Sequence, residues 1–400
     1  MSSAAPPLTG VRVVEVGNFM AVPFCGLQLA DLGAEVIKVE NPQGGDLTRA
    51  AGPFIGGESS NFVRLNRNKR SLALDLKAPA GKAVFRRLAA SADVLIENLR
   101  PGTMDGLGLG YAALSQGSPR LIYLAATGFG NDGPYAQLAG LDIIAQAMSG
   151  LMSITGEPNA PPVKVGVPIA DLTCALYGTI AVLAALRARD RDGRGQFIDV
   201  SLLESAASLA VWEAGRYFAT GDVPKPSGSA HQAIAPYQAV RSQDGWFTFG
   251  ANTQAHWLRC CTVLGLDDLA HDERFATNET RLANRAALIA AIEAVTMTQP
   301  SAYWTARLSE AGLPCGPIHT FDQVFNDPHL AERGFFVDAP HRTLGAVRQI
   351  GSPMRFSRTP ARIERAGPVL GGDSADVLRG IGIGEDELAQ LARDGVTVLA

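Results

Sequence analysis

Cysteine is sparse in this chain of 400 residues: the five present are Cys25, Cys174, Cys260, Cys261 and Cys315. An odd count with no Cys-x-x-Cys spacing supports neither a disulfide framework nor a structural zinc site. The six histidines are scattered and no His-Glu-x-x-His occurs, so no metal centre is expected. Charge is also low, at 18% of residues with a formal net charge of −4, which gives no global pull toward nucleic acid or an anionic membrane. An anionic ligand must then be held by local groups. Residues 1–7 lack a basic run and a long apolar run, so no signal peptide is expected. The longest uncharged apolar stretch, residues 172–186, is shorter than the ~20 residues of a membrane span and reads as a buried helix. A cytoplasmic, metal-free enzyme with no permanently bound cofactor is the simplest expectation.

What is abundant is apolar sequence, 46% of residues, enough for a large core and two or three domains. Residues 11–16, 35–39, 94–96 and 121–125 read as buried strands, with helices over 23–32 and 80–92 between them. That rhythm predicts an α/β fold, a Rossmann-like large domain with a parallel sheet covered by helices. A helix over 172–189, a strand over 196–200 and a second helix over 202–218 extend it. Gly, Pro and Ser cluster at 220–232, marking a boundary or mobile loop. The expected organisation is a large domain over 1–220, a smaller α+β domain over 221–330, and a segment over 331–400 that returns to the first.

Dinucleotide binding fails on the first turn. Residues 17–23 lack Gly-x-Gly-x-x-Gly, and Phe19 and Met20 are too bulky for a pyrophosphate to approach the backbone, although Glu40 ends the second strand where a ribose-binding acid would sit. The Gly106-Leu107-Gly108-Leu109-Gly110 run follows no clean strand. Neither Gly-x-Ser-x-Gly nor a Walker loop is present.

Several segments carry a resemblance instead. Leu8-Thr9-Gly10-Val11-Arg12-Val13-Val14-Glu15, Asp31-Leu32-Gly33-Ala34-Glu35-Val36-Ile37-Lys38-Val39-Glu40, Glu97-Asn98-Leu99-Arg100-Pro101-Gly102 and Gly166-Val167-Pro168-Ile169-Ala170-Asp171-Leu172 resemble the family III CoA-transferases. That group includes formyl-CoA and carnitine CoA-transferases. Asn68–Lys77, Gly193–Gln196 and Gly312–Pro317 extend the match in order over nearly the whole chain.

The resemblance puts Asp171 at the position of the family's catalytic aspartate. On sequence alone, an Asp before an apolar run reads as a helix N-cap. The two roles are compatible, because a carboxylate at a helix N-terminus is held ionised. Such a carboxylate would attack an acyl-CoA thioester, giving a mixed anhydride and then an aspartyl-CoA thioester that an acceptor acid opens. By the same resemblance Met20, Ala21, Leu74, Leu76, Lys77, Asn98, Leu99 and Arg100 belong to the CoA-binding segments, with Lys77 and Arg100 suited to phosphate. Gly228 and His231 fall in a loop that closes over the acyl site in relatives; His231 has either a part there or no special role.

A racemase on the same scaffold needs an acid/base pair. The segment where such enzymes carry Gly-His-Asp reads Gly140-Leu141-Asp142 here, and leucine moves no proton. A non-catalytic CoA-binding relative is the other alternative, and retention of Asp171 argues against it. The expected reaction is CoA transfer from an acyl-CoA, succinyl-CoA first, to a small carboxylic acid, a C4–C5 dicarboxylate first. Arg49, Arg64 and Arg216 are unranked candidates for its second carboxylate. The resemblance further implies an interlocked homodimer.

Overall fold

The computed structural model describes residues 4–399. The chain divides into two compact units, the first made of residues 1–151, 164–215 and 328–400, the second of residues 152–163 and 216–327.

Six parallel strands form the first unit's sheet: β1 (Arg12–Val16), β2 (Glu35–Glu40), β3 (Arg70–Ala73), β4 (Val94–Glu97), β5 (Ile122–Thr127) and β6 (Phe197–Ser201), in the order 3-2-1-4-5-6. Near-continuous apolar runs such as Val94-Leu95-Ile96 are buried on both faces, as parallel strands between helical layers must be. Helix α1 (Ala21–Asp31) connects β1 to β2, and α2 (Pro79–Ala90) opens on a proline at the first position, where its missing N–H costs nothing. Residues of 328–400 return to this unit: Thr397 Oγ1 donates to Ala73 O at 2.6 Å, and Val377, Leu378, Leu388 and Leu391 join the core beneath β3.

Two further helices matter for the site, α3 (Asp142–Met148) and the 24-residue α4 (Ile169–Asp192), which stops at Gly193 in the left-handed conformation, φ 76°. Helix α4 is long and apolar enough to span a membrane, but half of its most apolar window is buried inside the protein. The helix expected over 202–218 is broken into Leu202–Ser208 and Val211–Thr220. At the break, Leu209 and Ala210 bond three residues back rather than four, which tightens the backbone and turns the chain. Apolar spacing does not register such a change.

The second unit packs three antiparallel strands, Tyr237–Ser242, Gly245–Gly250 and Cys315–Pro317, against the helices Gln254–Leu264, Arg285–Thr296 and Ser301–Glu310. Trp257, Phe247, Leu288 and Leu308 are its fully buried centre.

Charges are buried under the start of α1. Parallel register sets Glu15 opposite Lys38, and both side chains are completely inaccessible. Lys38 Nζ lies 2.8 Å from Glu15 Oε1 and 2.7 Å from Asp46 Oδ2, while Lys69 Nζ lies 2.8 Å from Glu15 Oε2. The two ammonium groups also donate to Gly17 O at 2.8 Å and Pro23 O at 2.7 Å, so they hold both ends of the β1–α1 turn. Lys38 has two carboxylates and is pushed up by them against burial. Burial pushes Lys69, which shares Glu15, down to about 8. Gly26 is part of this arrangement, because a Cβ there would stand 2.0 Å from Glu15 Oε2.

Removing one partner of such a buried cluster leaves uncompensated charge. Glu15→Ala is expected to cost about 3–5 kcal/mol in urea denaturation; a change within ~0.5 kcal/mol, the range of ordinary surface substitutions, would contradict this account.

Candidate active site

A sheet ordered 3-2-1-4-5-6 leaves a crevice at the carboxyl ends of β1 and β4, where successive connections leave toward opposite faces. The loops after these strands are stitched together there. Asn18 N donates to Asn98 Oδ1 at 3.0 Å and Asn98 Nδ2 donates to Asn18 O at 2.9 Å. Asn98 thus spends both ends of its amide on backbone and shapes the crevice wall. Met20 holds the N-cap position of α1 without a side-chain cap, and Ala21 is buried behind it. The bulky turn survives because Phe19 takes a left-handed φ of 59° and its N–H donates to Asp46 Oδ1 at 3.3 Å.

Three other sequence-selected positions follow β3 at the same end of the sheet. Leu74 is buried and bonds Glu40 O through its N–H at 2.8 Å, Leu76 is half-buried, and Lys77 is exposed. Beyond β4, Leu99 N donates to Glu97 Oε2 at 2.7 Å, while Arg100 is exposed. Burial pushes the Glu97 carboxyl up to about 7, and this group orders the segment that presents Leu99 and Arg100. Neither Lys77 nor Arg100 has a side-chain partner among the described residues. The fold thereby brings Met20, Ala21, Leu74, Leu76, Lys77, Asn98, Leu99 and Arg100 to one end of one sheet, with two unpaired cations.

Asp171 differs from the sequence expectation in two ways. It is not the N-cap: Pro168 holds that position and Asp171 is the third helical residue of α4. The cap comes from elsewhere, since Asp142 Oδ1 accepts the N–H of Ala170 at 2.9 Å and of Asp171 at 3.3 Å. Asp171 is also not held ionised: it is half-buried, and burial followed by the Asp142 charge pushes its carboxyl up to about 7. Among the described residues its carboxylate accepts no hydrogen bond and has no cation beside it. The helix N-terminus therefore does not hold it ionised.

In the second unit Gly228 has φ 62° and donates its N–H to Gly156 O at 2.9 Å. His231 stacks on Tyr237, ring centroids 5.0 Å apart, and its Nδ1 accepts from Ala233 N at 3.1 Å. Of the arginines weighed for a second carboxylate, Arg49 is spent on Glu40 at 2.7 Å and on the Phe62 ring at 3.6 Å. Arg64 bonds Ser60 Oγ at 2.6 Å and Arg216 lies 3.3 Å from Asp222. Arg49 is thereby excluded as a substrate partner, as is Glu40 as a ribose-binding acid, since Glu40 is buried between Arg49 and Ser71. No group of three or more His, Cys, Asp or Glu side chains among the described residues could hold a metal ion.

Sequence reasoning did not give Asp142 a place in the site. The signal available was its spacing from Gln146, four residues on, whose Nε2 donates to Asp142 Oδ2 at 2.7 Å.

A doubly wound α/β sheet with its ligand crevice at the strand-order reversal defines the class. The chain belongs to CoA-transferase family III, whose profile it matches over residues 8–374. It is 40% identical to the succinate–glutarate CoA-transferase of Agrobacterium fabrum, covering 94% of this chain and 96% of that one. The succinyl-CoA–D-citramalate CoA-transferase of Chloroflexus aurantiacus is 37% identical, covering 98% of each. Among solved structures, a CAIB/BAIF family protein from Brucella suis matches with a TM-score of 0.86 at 40% identity, covering 94% of this chain and 100% of that one. The protein is a CoA-transferase, of a family whose substrates are CoA thioesters.

The environment of Asp171 has a measurable sign. Its folded-state pKa of about 7 exceeds the ordinary 3.8, so the ionised residue destabilises the fold, and stability is lost as pH rises from about 4 to about 7. Asp171→Asn should melt at a higher temperature than the parent at about pH 8, with the gap closing near pH 4. A gap that does not change with pH would show that the carboxyl is not desolvated.

Proposed function

We infer that this enzyme transfers CoA from succinyl-CoA to a small dicarboxylic acid of four or five carbons, with Asp171 as the covalent nucleophile. The carrying observation is the Asp171 carboxylate itself: half-buried, without hydrogen-bond donors or a counter-cation among the described residues, and pushed up to about 7. A carboxylate relieved of solvent and partners is a stronger nucleophile than a solvated one, and near neutral pH a useful fraction is ionised.

The reaction runs in balanced steps. An Asp171 oxygen attacks the thioester carbonyl, the C–S bond breaks, and CoA leaves as thiolate from an acyl–aspartyl anhydride. The thiolate then attacks the aspartyl carbonyl of that anhydride, which releases succinate and leaves an aspartyl-CoA thioester. The acceptor's carboxylate opens this thioester, again freeing thiolate and forming a new anhydride. Attack of thiolate on the acceptor's acyl carbon yields the product thioester and returns Asp171 to its carboxylate. Lys77 and Arg100, unpaired at the carboxyl ends of β3 and β4, suit the phosphates of CoA, and Met20, Ala21 and Leu76 its less polar portions.

The acids come from two considerations. Relatives at 40% and 37% identity over nearly the whole chain are named for succinate with glutarate and for succinyl-CoA with D-citramalate. The segments Met152-Ser153-Ile154-Thr155-Gly156 and Pro168-Ile169-Ala170-Asp171-Leu172-Thr173 also resemble those of relatives that use succinyl-CoA and C4–C5 dicarboxylates. Leu141, 65% exposed at the start of α3, stands where a racemase needs a proton carrier.

A second copy of this chain is part of the same reading. Leu176, Tyr177 and Ile180, exposed by 47%, 41% and 60%, line one face of the apolar helix α4. On α3 Ile143, Ile144 and Met148 are exposed by 46%, 40% and 45%, apolar surface of the kind that a partner subunit covers.

Asp171→Ala should lower kcat by at least roughly 1,000-fold with acyl-CoA binding within about threefold. Robust transfer by that variant would remove Asp171 from the mechanism. With succinyl-CoA as donor, glutarate, itaconate, mesaconate and citramalate should exceed monocarboxylates in kcat/KM; a strong preference for a monocarboxylate would overturn the assignment of the acceptor. Light scattering should give twice the chain mass, and a monomer at micromolar concentration would contradict the dimer.

A further inference from the structure

We propose that Asp142 is the positioning residue for Asp171: it caps α4 from a neighbouring helix, and so sets the Asp171 carboxylate in the first turn with neither an amide nor a cation to stabilise it. This deepens the reading of Asp171 as nucleophile and rests on it.

An α-helix begins with backbone N–H groups that have no intrahelical acceptor, and an acidic residue near them ordinarily turns back to accept from them. Here the N-cap residue is Pro168, which has no side chain able to do so. Asp142 Oδ1 takes the Ala170 and Asp171 amides instead, at 2.9 and 3.3 Å. The acceptor's place at this helix end is filled, and Asp171 is left free for other chemistry.

Asp142 is itself held from both sides. Its Oδ2 accepts from Gln146 Nε2 at 2.7 Å, and Gln146 Oε1 accepts from Val165 N at 2.9 Å, with Gln146 fully buried. The chain entering α3 is fixed by a backbone crossing. A Cβ at Gly140 would stand 2.4 Å from Gly128 Cα, and one at Gly128 2.6 Å from Gly140 Cα, so neither position admits a side chain. One connected path therefore runs from the end of β5, through Gly128 and Gly140, to Asp142 and the amides of α4. A carboxylate in that position does a second thing that a neutral cap would not. Its charge opposes the ionisation of Asp171, which keeps the anion high in energy and reactive.

Other ionisable groups on the elements around α4 do not share this role. Cys174 on α4 and Cys25 on α1 are pushed up to about 12 by burial and stay neutral. Asp199 on β6 is engaged by Asn131 through both its N–H at 2.8 Å and its Nδ2 at 2.9 Å. Glu204, on the helix after β6, is bonded by Ser201 Oγ at 2.6 Å.

Asp142→Asn keeps an oxygen for the two amides and removes the charge. A carbon-13 carboxyl titration of Asp171, assigned by its loss in Asp171→Asn, should move to lower pH by about one unit or more in Asp142→Asn. The acid limb of kcat/KM should shift in the same direction, with KM for succinyl-CoA within about twofold of the parent's. Coincident titration midpoints in the two proteins would overturn the proposal. Asp142→Ala removes the cap as well and should lower kcat by about tenfold or more, with Asp142→Asn recovering most of the loss; an Ala variant as fast as the parent would also overturn it. Failure of the underlying reading looks different, because the parent enzyme would then form no adduct on Asp171 while the Asp171 titration still responded to Asp142.

Discussion

A carboxylate shared by two buried ammonium groups organises the turn between β1 and α1, at the carboxyl end of the sheet. Glu15 lies on β1, an interior strand of the sheet, and its two oxygens each meet a lysine at 2.8 Å. Because Lys38 and Lys69 also hold Gly17 O and Pro23 O, the turn between β1 and α1 has no freedom to adopt the glycine-rich form of a dinucleotide site. It becomes a wall that a bulky Phe19-Met20 pair can line. The cluster gains little net stability over an apolar core of the same volume, since desolvating four charges offsets their attraction. What it contributes is geometry: it joins β1, β2 and the segment leading into β3, the elements that aim Met20, Ala21, Leu76 and Lys77.

A second fixed point is the Asp142 carboxylate, which accepts the first amides of α4 beside Asp171. The two devices differ in kind. Around Glu15 every charge is matched by an opposite one, and the turn is rigid. Around Asp171 the neighbouring charge has the same sign, and burial adds to it, so that the side chain is held in place by its helix but not stabilised as an anion. Stability given up at that position is consistent with a group whose reactivity depends on being poorly satisfied.

Much of the sheet was legible in the sequence because short apolar runs rich in β-branched residues, such as Val13-Val14 and Val94-Leu95-Ile96, admit few other readings. The family was legible from ordered segments rather than from any one motif. What escaped is long-range or geometric. Lys38 within a strand reads as an exposed position until register sets Glu15 across from it. The short strand Arg70–Ala73 carries polar residues at its start, and the break at Leu209 and Ala210 leaves apolar spacing unchanged. Residues 152–163 leave the first unit for the second without any mark in composition. Asp171 itself read as a cap because Asp at the edge of an apolar run is a good cap; the true cap lies on another helix, 28 residues upstream of Ala170, beyond what local pattern can report.

Oxygen exchange tests the covalent role of Asp171 most directly. In the steps above, the bridging oxygen of the second anhydride comes from the acceptor acid and stays with Asp171 when the product thioester departs. Turnover of succinyl-CoA with carboxyl-oxygen-18 glutarate should therefore leave the heavy isotope in the peptide that contains Asp171, as read by mass spectrometry of the digested enzyme. A peptide that remains unlabelled after many turnovers would contradict the mechanism.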